Sequence, residues 1–217
     1  MKLVFLGPPG AGKGTQAARM AQVFGLEHAS TGNIFRRAVA QDSELGRQVR
    51  SYLDAGKLVP DKLTSRVVKE LILDRSERYI LDGYPRTVPQ ARALDRMLED
   101  RGQRLDAALY FQLDEEAAIA RLAGRLVCER CGENYHRLFM PPRQAGLCDQ
   151  CGGPLVSRSD SSRQVVLERL AEYANKTRPL VSYYEQRGLL RRIDASPDPA
   201  MVERRTRALL AELEGRR

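Results

Sequence analysis

The 217-residue chain has no long apolar run: near its start the longest is Leu3–Leu6, which Gly7-Pro8-Pro9-Gly10 ends. That is too short for a membrane span or a signal-peptide core, so the chain is expected to stay in the cytoplasm. Internal repeats and low-complexity tracts are missing, which sets aside disordered, collagen-like and mucin-like chains. There is no basic tail and no run of basic residues interleaved with aromatics. A net charge of +8, from 36 basic and 28 acidic residues, is therefore not read as a nucleic-acid groove. It suits small polyanions such as nucleotides, or a solvated basic surface. Histidine is scarce, with only His28 and His136, and packing accounts for both. A composition of 42% hydrophobic and 29% charged residues is that of a globular protein. The length allows one or two domains and a core that needs no disulfides.

What is present alternates. Residues 2–6, 79–82, 107–113 and 189–193 are continuous apolar or near-apolar strands. Helical spacing follows the first strand over 15–24, and helices are predicted at 33–40, 44–55, 61–74, 89–101, 114–123, 161–176 and 199–214. Asp114 is the expected N-cap of one helix, and Gly102 and Gly188 are expected stops. Buried-type strands alternating with helices indicate an α/β fold, a parallel sheet covered by helices on both faces.

Residues 125–158 break this rhythm and hold all four cysteines. Cys128-x2-Cys131 and Cys148-x2-Cys151 are separated by sixteen residues, the pattern of two zinc knuckles. Four thiolates make a closed tetrahedral site with no position for substrate, so the metal is expected to be structural. Iron fits the same ligands, and two disulfides or a redox pair are the remaining alternatives.

Gly7-Pro8-Pro9-Gly10-Ala11-Gly12-Lys13-Gly14-Thr15 lies between a strand and a helix. This is the context of a phosphate-binding loop: glycines let backbone N–H groups turn inward, and the helix N-terminus adds positive potential. Lys13 reaches the outer phosphates of a nucleoside triphosphate. The general pattern has Ser or Thr directly after the lysine; here Gly14 intervenes before Thr15.

The loop resembles that of the adenylate kinases. So do Ser30-Thr31-Gly32-Asn33-Ile34-Phe35-Arg36, Gly56-Lys57-Leu58-Val59-Pro60-Asp61 and Leu81-Asp82-Gly83-Tyr84-Pro85-Arg86-Thr87, in the family's order. Tyr135-His136 and Pro141-Pro142 fit its long-lid form, and the likeness runs over nearly the whole chain. It implies a P-loop core (1–29, 60–123 and 162–217), an AMP-binding segment (30–59) and a zinc-binding lid (124–161). The implied reaction is Mg·ATP + AMP ⇌ 2 ADP, by a monomer.

The resemblance also implies roles. ATP is assigned to Gly10, Ala11, Gly12, Lys13, Gly14, Thr15, Arg121, Arg125, Asn134, Tyr135 and the Pro197 carbonyl. AMP is assigned to Thr31, Arg36, Lys57, Leu58, Val59, Gly83, Tyr84, Pro85, Arg86, Gln90, Arg158 and Arg169. Lys13, Arg86, Arg125, Arg158 and Arg169 surround the transferring group, and Asp82 holds Mg²⁺ through water. Two departures from the family stand out: Asn33 replaces an Asp, and Ser161 replaces the partner of Asp160 at the lid hinge. The alternatives are a UMP/CMP or GMP kinase of the same family and, more remotely, a non-catalytic nucleotide-dependent module that binds nucleic acid.

Overall fold

The computed structural model describes residues 1–157 and 162–215. Its central sheet is built from β1 (Lys2–Leu6), β2 (Glu27–Ser30), β3 (Tyr79–Asp82), β4 (Ala107–Gln112) and β8 (Leu190–Asp194). The order is β2-β3-β1-β4-β8 and every pairing is parallel. Strand β1 shows why its residues are apolar throughout. Val4 and Leu6 pack into one cluster with Tyr79, Leu81, Leu94 and Tyr184. Leu3 and Phe5 face the other way, into a cluster with Met20, Ile80, Leu109 and Leu210. Both faces of the sheet are covered, as expected of a parallel sheet.

The covering helices are α1 (Lys13–Phe24) and α9 (Pro199–Gly215) on one face, and α5 (Val88–Glu99) and α8 (Leu180–Glu185) on the other. Helices α2 (Thr31–Ala40), α3 (Glu44–Asp54) and α4 (Asp61–Val68) share a separate apolar cluster of Phe35, Val49, Val59 and Val67. Helix α6 (Glu115–Ala123) packs on α7 (Arg163–Glu172) through Ala118, Leu122, Val166 and Leu170. Asp114 caps α6 as expected, accepting from the Ala117 N–H at 2.7 Å. None of the described helices is long and apolar enough to cross a membrane.

Between α6 and α7 lies a second sheet, antiparallel, of β5 (Arg125–Cys128), β6 (Asn134–His136) and β7 (Leu155–Ser157), in the order β6-β5-β7. Among the described residues its buried cluster is Cys128, Tyr135 and Cys148, with Leu126, Cys151 and Leu155 packed against it.

Three features differ from the sequence expectations. Strand β2 and helix α8 were not anticipated. β2 is a four-residue edge strand, Glu-His-Ala-Ser, with no apolar run to announce it. The single helices expected at 61–74 and 161–176 change pitch: α4 continues as a π turn over Lys69–Leu73, and α7 as another over Tyr173–Thr177. A π turn needs no particular residue type, so no signal in the sequence marks where the pitch changes.

Candidate functional site

The chain runs from β1 to one side of the sheet through β2 and β3, then to the other through β4 and β8. The carboxyl ends of β1 and β3 therefore flank a crevice at the point where the strand order diverges, the usual ligand position in open α/β sheets. A cleft of about 1030 Å³ opens there.

The glycine loop forms its floor. Gly10 takes a left-handed φ of 90°, and a Cβ there would lie 2.8 Å from the Ala118 carbonyl oxygen. The Lys13 ammonium donates to the Gly7 and Pro8 carbonyls at 2.7 and 2.8 Å, so the lysine curls back over its own loop. Desolvation pushes its pKa down from 10.5 to about 7; the Asp82 carboxylate opposes this, while Arg86, Arg169 and Arg125 reinforce it. Gly14 has a physical reason. A Cβ at that position would approach Asp82 Oδ2 at 3.2 Å, so the residue after the lysine is small because the strand-end carboxylate faces it.

Asp82 ends β3. Its Oδ2 accepts from Ser30 Oγ at 3.2 Å and lies 3.5 Å from His28 Nε2. Burial raises the Asp82 pKa, but the His28 hydrogen bond and the charges of Lys13 and Arg86 outweigh it and hold the group below the ordinary carboxylate range. His28, expected only to pack, thus stands in the wall of the cleft. No sequence signal could have found it, because its partner is 54 residues away.

All eleven residues assigned to ATP line this cleft, Pro197 and the β6 residues Asn134 and Tyr135 included. Arg121 donates to the carbonyls of Ala195 (2.7 Å), Ser196 (2.8 Å) and Pro197 (3.1 Å). Its guanidinium also lies 5.6 Å from the Phe139 ring centroid, which places Phe139 in the same wall.

A smaller recess of about 70 Å³ adjoins the cleft and gathers Thr31, Arg36, Leu58, Val59, Gly83, Arg86, Gln90 and Arg169. Thr31 donates its hydroxyl proton to the Gly83 carbonyl at 2.9 Å, and Arg86 Nε donates to the same oxygen at 2.8 Å. Arg36 Nη2 donates to Asn33 Oδ1, so Asn33 steadies this arginine. Gln90 donates from Nε2 to Asp61 at 2.8 Å and accepts the Arg86 backbone N–H on Oε1 at 2.7 Å. Asp61 also accepts from Thr87 Oγ1 at 2.8 Å. Sequence reasoning gave Asp61 no role; its place in a matching motif was the available signal. Three expected residues sit differently, the first being Pro85, which lines the large cleft and not the recess. The Tyr84 side chain is fully buried in the core, with its hydroxyl donating to the Gln90 carbonyl at 3.1 Å, so only its backbone is left to the recess. Lys57 lines neither cavity. Arg158, Asp160 and Ser161 lie outside the described residues.

Between α6 and α7 the four cysteine sulfurs all lie within 4.8 Å of one another. Cys128–Cys151 and Cys131–Cys148 are each 3.5 Å apart, too far for disulfides. Four ligands at about 2.3 Å from a tetrahedral ion stand about 3.8 Å apart, so the group fits a metal. The backbone N–H groups of Cys131 and Arg130 lower the Cys128 pKa. Burial raises that of Cys148, but the Tyr135 hydroxyl and the Cys151 and Gln150 N–H groups bring it down to about 6. The Cys131 thiol goes the other way: the Glu133 N–H favours its thiolate, but burial and the neighbouring cysteines push it up to about 12.

A phosphate loop at one end of a cleft and converging guanidiniums at the other define the class, a P-loop nucleotide phosphotransferase. Residues 5–189 match the family model for adenylate kinase. An adenylate kinase of Moorella thermoacetica is 48% identical over 212 residues, covering 96% of this chain and 98% of its own length. One from Caldanaerobacter subterraneus subsp. tengcongensis is 46% identical, with 90% of each chain covered. Another, from Archaeoglobus fulgidus, is 41% identical over 99% of this chain and all of its own. The chain belongs to the adenylate kinase family.

Proposed function

We propose that the protein transfers a phosphoryl group between adenine nucleotides, ATP + AMP ⇌ 2 ADP, and so balances the adenine nucleotide pool. The observation that carries this is Lys13, held at the phosphate loop within electrostatic reach of Asp82, Arg86, Arg125 and Arg169. Phosphoryl transfer spreads negative charge over the moving group, and placed cations stabilise it.

In this reading the loop amides of Gly10–Thr15 and the Lys13 ammonium hold the ATP phosphates. Arg36 and Arg86 hold the AMP phosphate through paired donors. Arg125 and Arg169 face the moving group, joined by Arg158 on the family resemblance. An AMP phosphate oxygen attacks the γ-phosphorus as the bond to the β–γ bridging oxygen breaks, and ADP leaves. That phosphate is already largely dianionic at neutral pH, so no general base is needed. Asp82 would hold Mg²⁺ through water, and the ion would supply charge neutralisation to the phosphates.

Adenine suits the acceptor recess. The Thr31 proton is committed to Gly83, so its oxygen presents a lone pair that favours the 6-amino group over a carbonyl. The Gln90 amide, steadied by Asp61, keeps one donor and one acceptor site for the base edge. Zinc is the ion proposed for the four thiolates, and the lid would exclude water during transfer. A division into core, AMP-binding segment (30–59) and lid (124–161) is part of this reading; the Cys128, Tyr135 and Cys148 cluster supports the last, while the cluster of Phe35, Val49 and Val59 runs on to Val67. Unpaired thiols suit a reducing compartment, the cytoplasm, and a monomer is proposed.

A coupled assay for ADP formed from ATP and AMP tests the proposal. Rapid ADP formation is expected, with AMP preferred over UMP, CMP and GMP. UMP or GMP preferred over AMP would sink the acceptor assignment, and no ADP at all would sink the reaction.

A further inference from the structure

We infer that Tyr135 is a positioning residue for the cysteine site: its hydroxyl donates a hydrogen bond to the Cys148 sulfur and so sets how tightly the four thiolates hold their ion. This rests on the proposed reading of the four cysteines as a zinc site. Tyr135 is the middle residue of β6, opposite Leu126 of β5, and shares its buried cluster with Cys128 and Cys148. Only 6% of it is exposed. Its Oη lies 3.5 Å from Cys148 Sγ and accepts the Asp149 N–H at 2.8 Å.

These contacts fix the direction of the proton. The Asp149 N–H occupies a lone pair of the hydroxyl oxygen and leaves the O–H itself to find an acceptor. A metal-bound thiolate carries no proton, so Cys148 can only accept. The bond therefore runs from Tyr135 to sulfur, and its charged acceptor makes it one of the stronger kind. The need for it is electrostatic. Four thiolates outweigh a divalent ion, so the filled site is anionic, and Cys128 and Cys148 are only 2% and 3% exposed. Buried negative charge is costly unless donors face it. The Gln150 and Cys151 N–H groups also hydrogen-bond the Cys148 sulfur. Those belong to the turn itself, whereas the hydroxyl comes from a separate strand and ties β6 to the second knuckle. Tyr135 also lines the large cleft, so a change in activity would not isolate this role, and the test reads the metal instead.

The test uses Zn²⁺ for affinity and Co²⁺ for spectra, since thiolate-to-Co²⁺ absorption has an energy set by the sulfur electrons. Tyr135→Phe keeps the ring and removes the hydroxyl. Affinity for Zn²⁺, read by competition with a chelating dye, is expected to fall about tenfold or more, as when other partners of metal ligands are removed. The sulfur-to-Co²⁺ band is expected to move to longer wavelength, because a hydrogen bond holds the sulfur electrons down and its loss raises them. Weaker binding with the band in place would show only a loosened knuckle, the Asp149 N–H having lost its acceptor, and would overturn the inference. Unchanged affinity would overturn it too. A Phe variant that does not fold is covered by 3-fluorotyrosine in place of Tyr135, a stronger donor of nearly the same shape. It should shift the band to shorter wavelength, and an unmoved band overturns the inference. The wild type separates the two levels. Thiolate bands that ignore residue 135 remove the inference alone; a protein that gives no thiolate bands with Co²⁺ removes the reading of the cysteines and the inference with it.

Discussion

Lys13 owes its acid strength to residues brought from far along the chain. Its pKa of about 7, against 10.5 in the unfolded chain, arises from desolvation and from three arginines, with Asp82 opposing. Because the folded value is the lower one, the unfolded chain holds more protons between pH 7 and 10.5. This group's destabilising effect on the empty protein is therefore complete below about 7 and is relieved as pH rises across that interval. Incoming phosphates reverse the imbalance and favour the ammonium. ATP binding at pH 8 is expected to take up a proton, approaching one per molecule, and the uptake should vanish by pH 6. Calorimetric titration in buffers of different ionisation enthalpy measures it; heats independent of buffer at pH 8 would contradict the account. Arg86, tied to Gly83 through Nε, lines the recess. Arg86→Ala is expected to lower kcat/KM for AMP on the order of a hundredfold, the loss of a charge-assisted pair. ATP affinity should hold nearly constant, and unaltered AMP kinetics would refute the role. At this scale the phosphate loop was legible because its meaning is local: glycine spacing between a strand and a helix. The small residue at Gly14 was not, because Asp82 explains it from another strand.

Among the elements, the junction of α6 and β5 shows a tight fit. Gly124 packs against the His136 imidazole, and a Cβ there would lie 2.4 Å from the ring. The ring is held in place: its Nδ1 accepts the Leu138 and Phe139 N–H groups at 3.0 and 3.1 Å. Gly124→Ala must displace the ring or the start of β5, at a cost of about 1–3 kcal/mol by overpacking. Faster hydrogen exchange in β5 and β6 is expected, with β1 and β4 unaffected; wild-type exchange in the lid strands would show that the junction yields freely. His136 packs against Gly124 and, like His28, also lines the cleft; both facts came only from the folded chain. Strongly apolar strands and capped helices were readable because their period and caps are written locally. Strand β2 was not, since its strand character comes from pairing with β3 at the sheet edge.

For the whole molecule, separate apolar clusters imply separate stabilities. The lid cluster of Cys128, Tyr135 and Cys148 shares no buried residue with the two clusters flanking the central sheet. So few buried groups do not hold a segment of this length together, and a metal on the four cysteines, as proposed, would supply the missing stabilisation. Stripping the metal with a chelator is expected to unfold the lid strands while the core keeps its own calorimetric transition. Exchange protection should be lost over β5–β7 and retained over β1 and β4. A chelated protein with a fully protected lid would show that the cysteines are dispensable for folding.

The amino-acid order alone determined the parallel α/β sheet, the phosphate loop and the thiolate knuckles, since each depends on spacing within a few residues or on a repeated short pattern. Only the folded chain decided which distant groups share a site: His28 with Asp82, Asp61 with Gln90, Arg121 with the 195–197 carbonyls, and Tyr135 with Cys148. Those pairings depend on how strands register and helices dock, which is set by the burial of many residues at once and leaves no mark on any short stretch of chain.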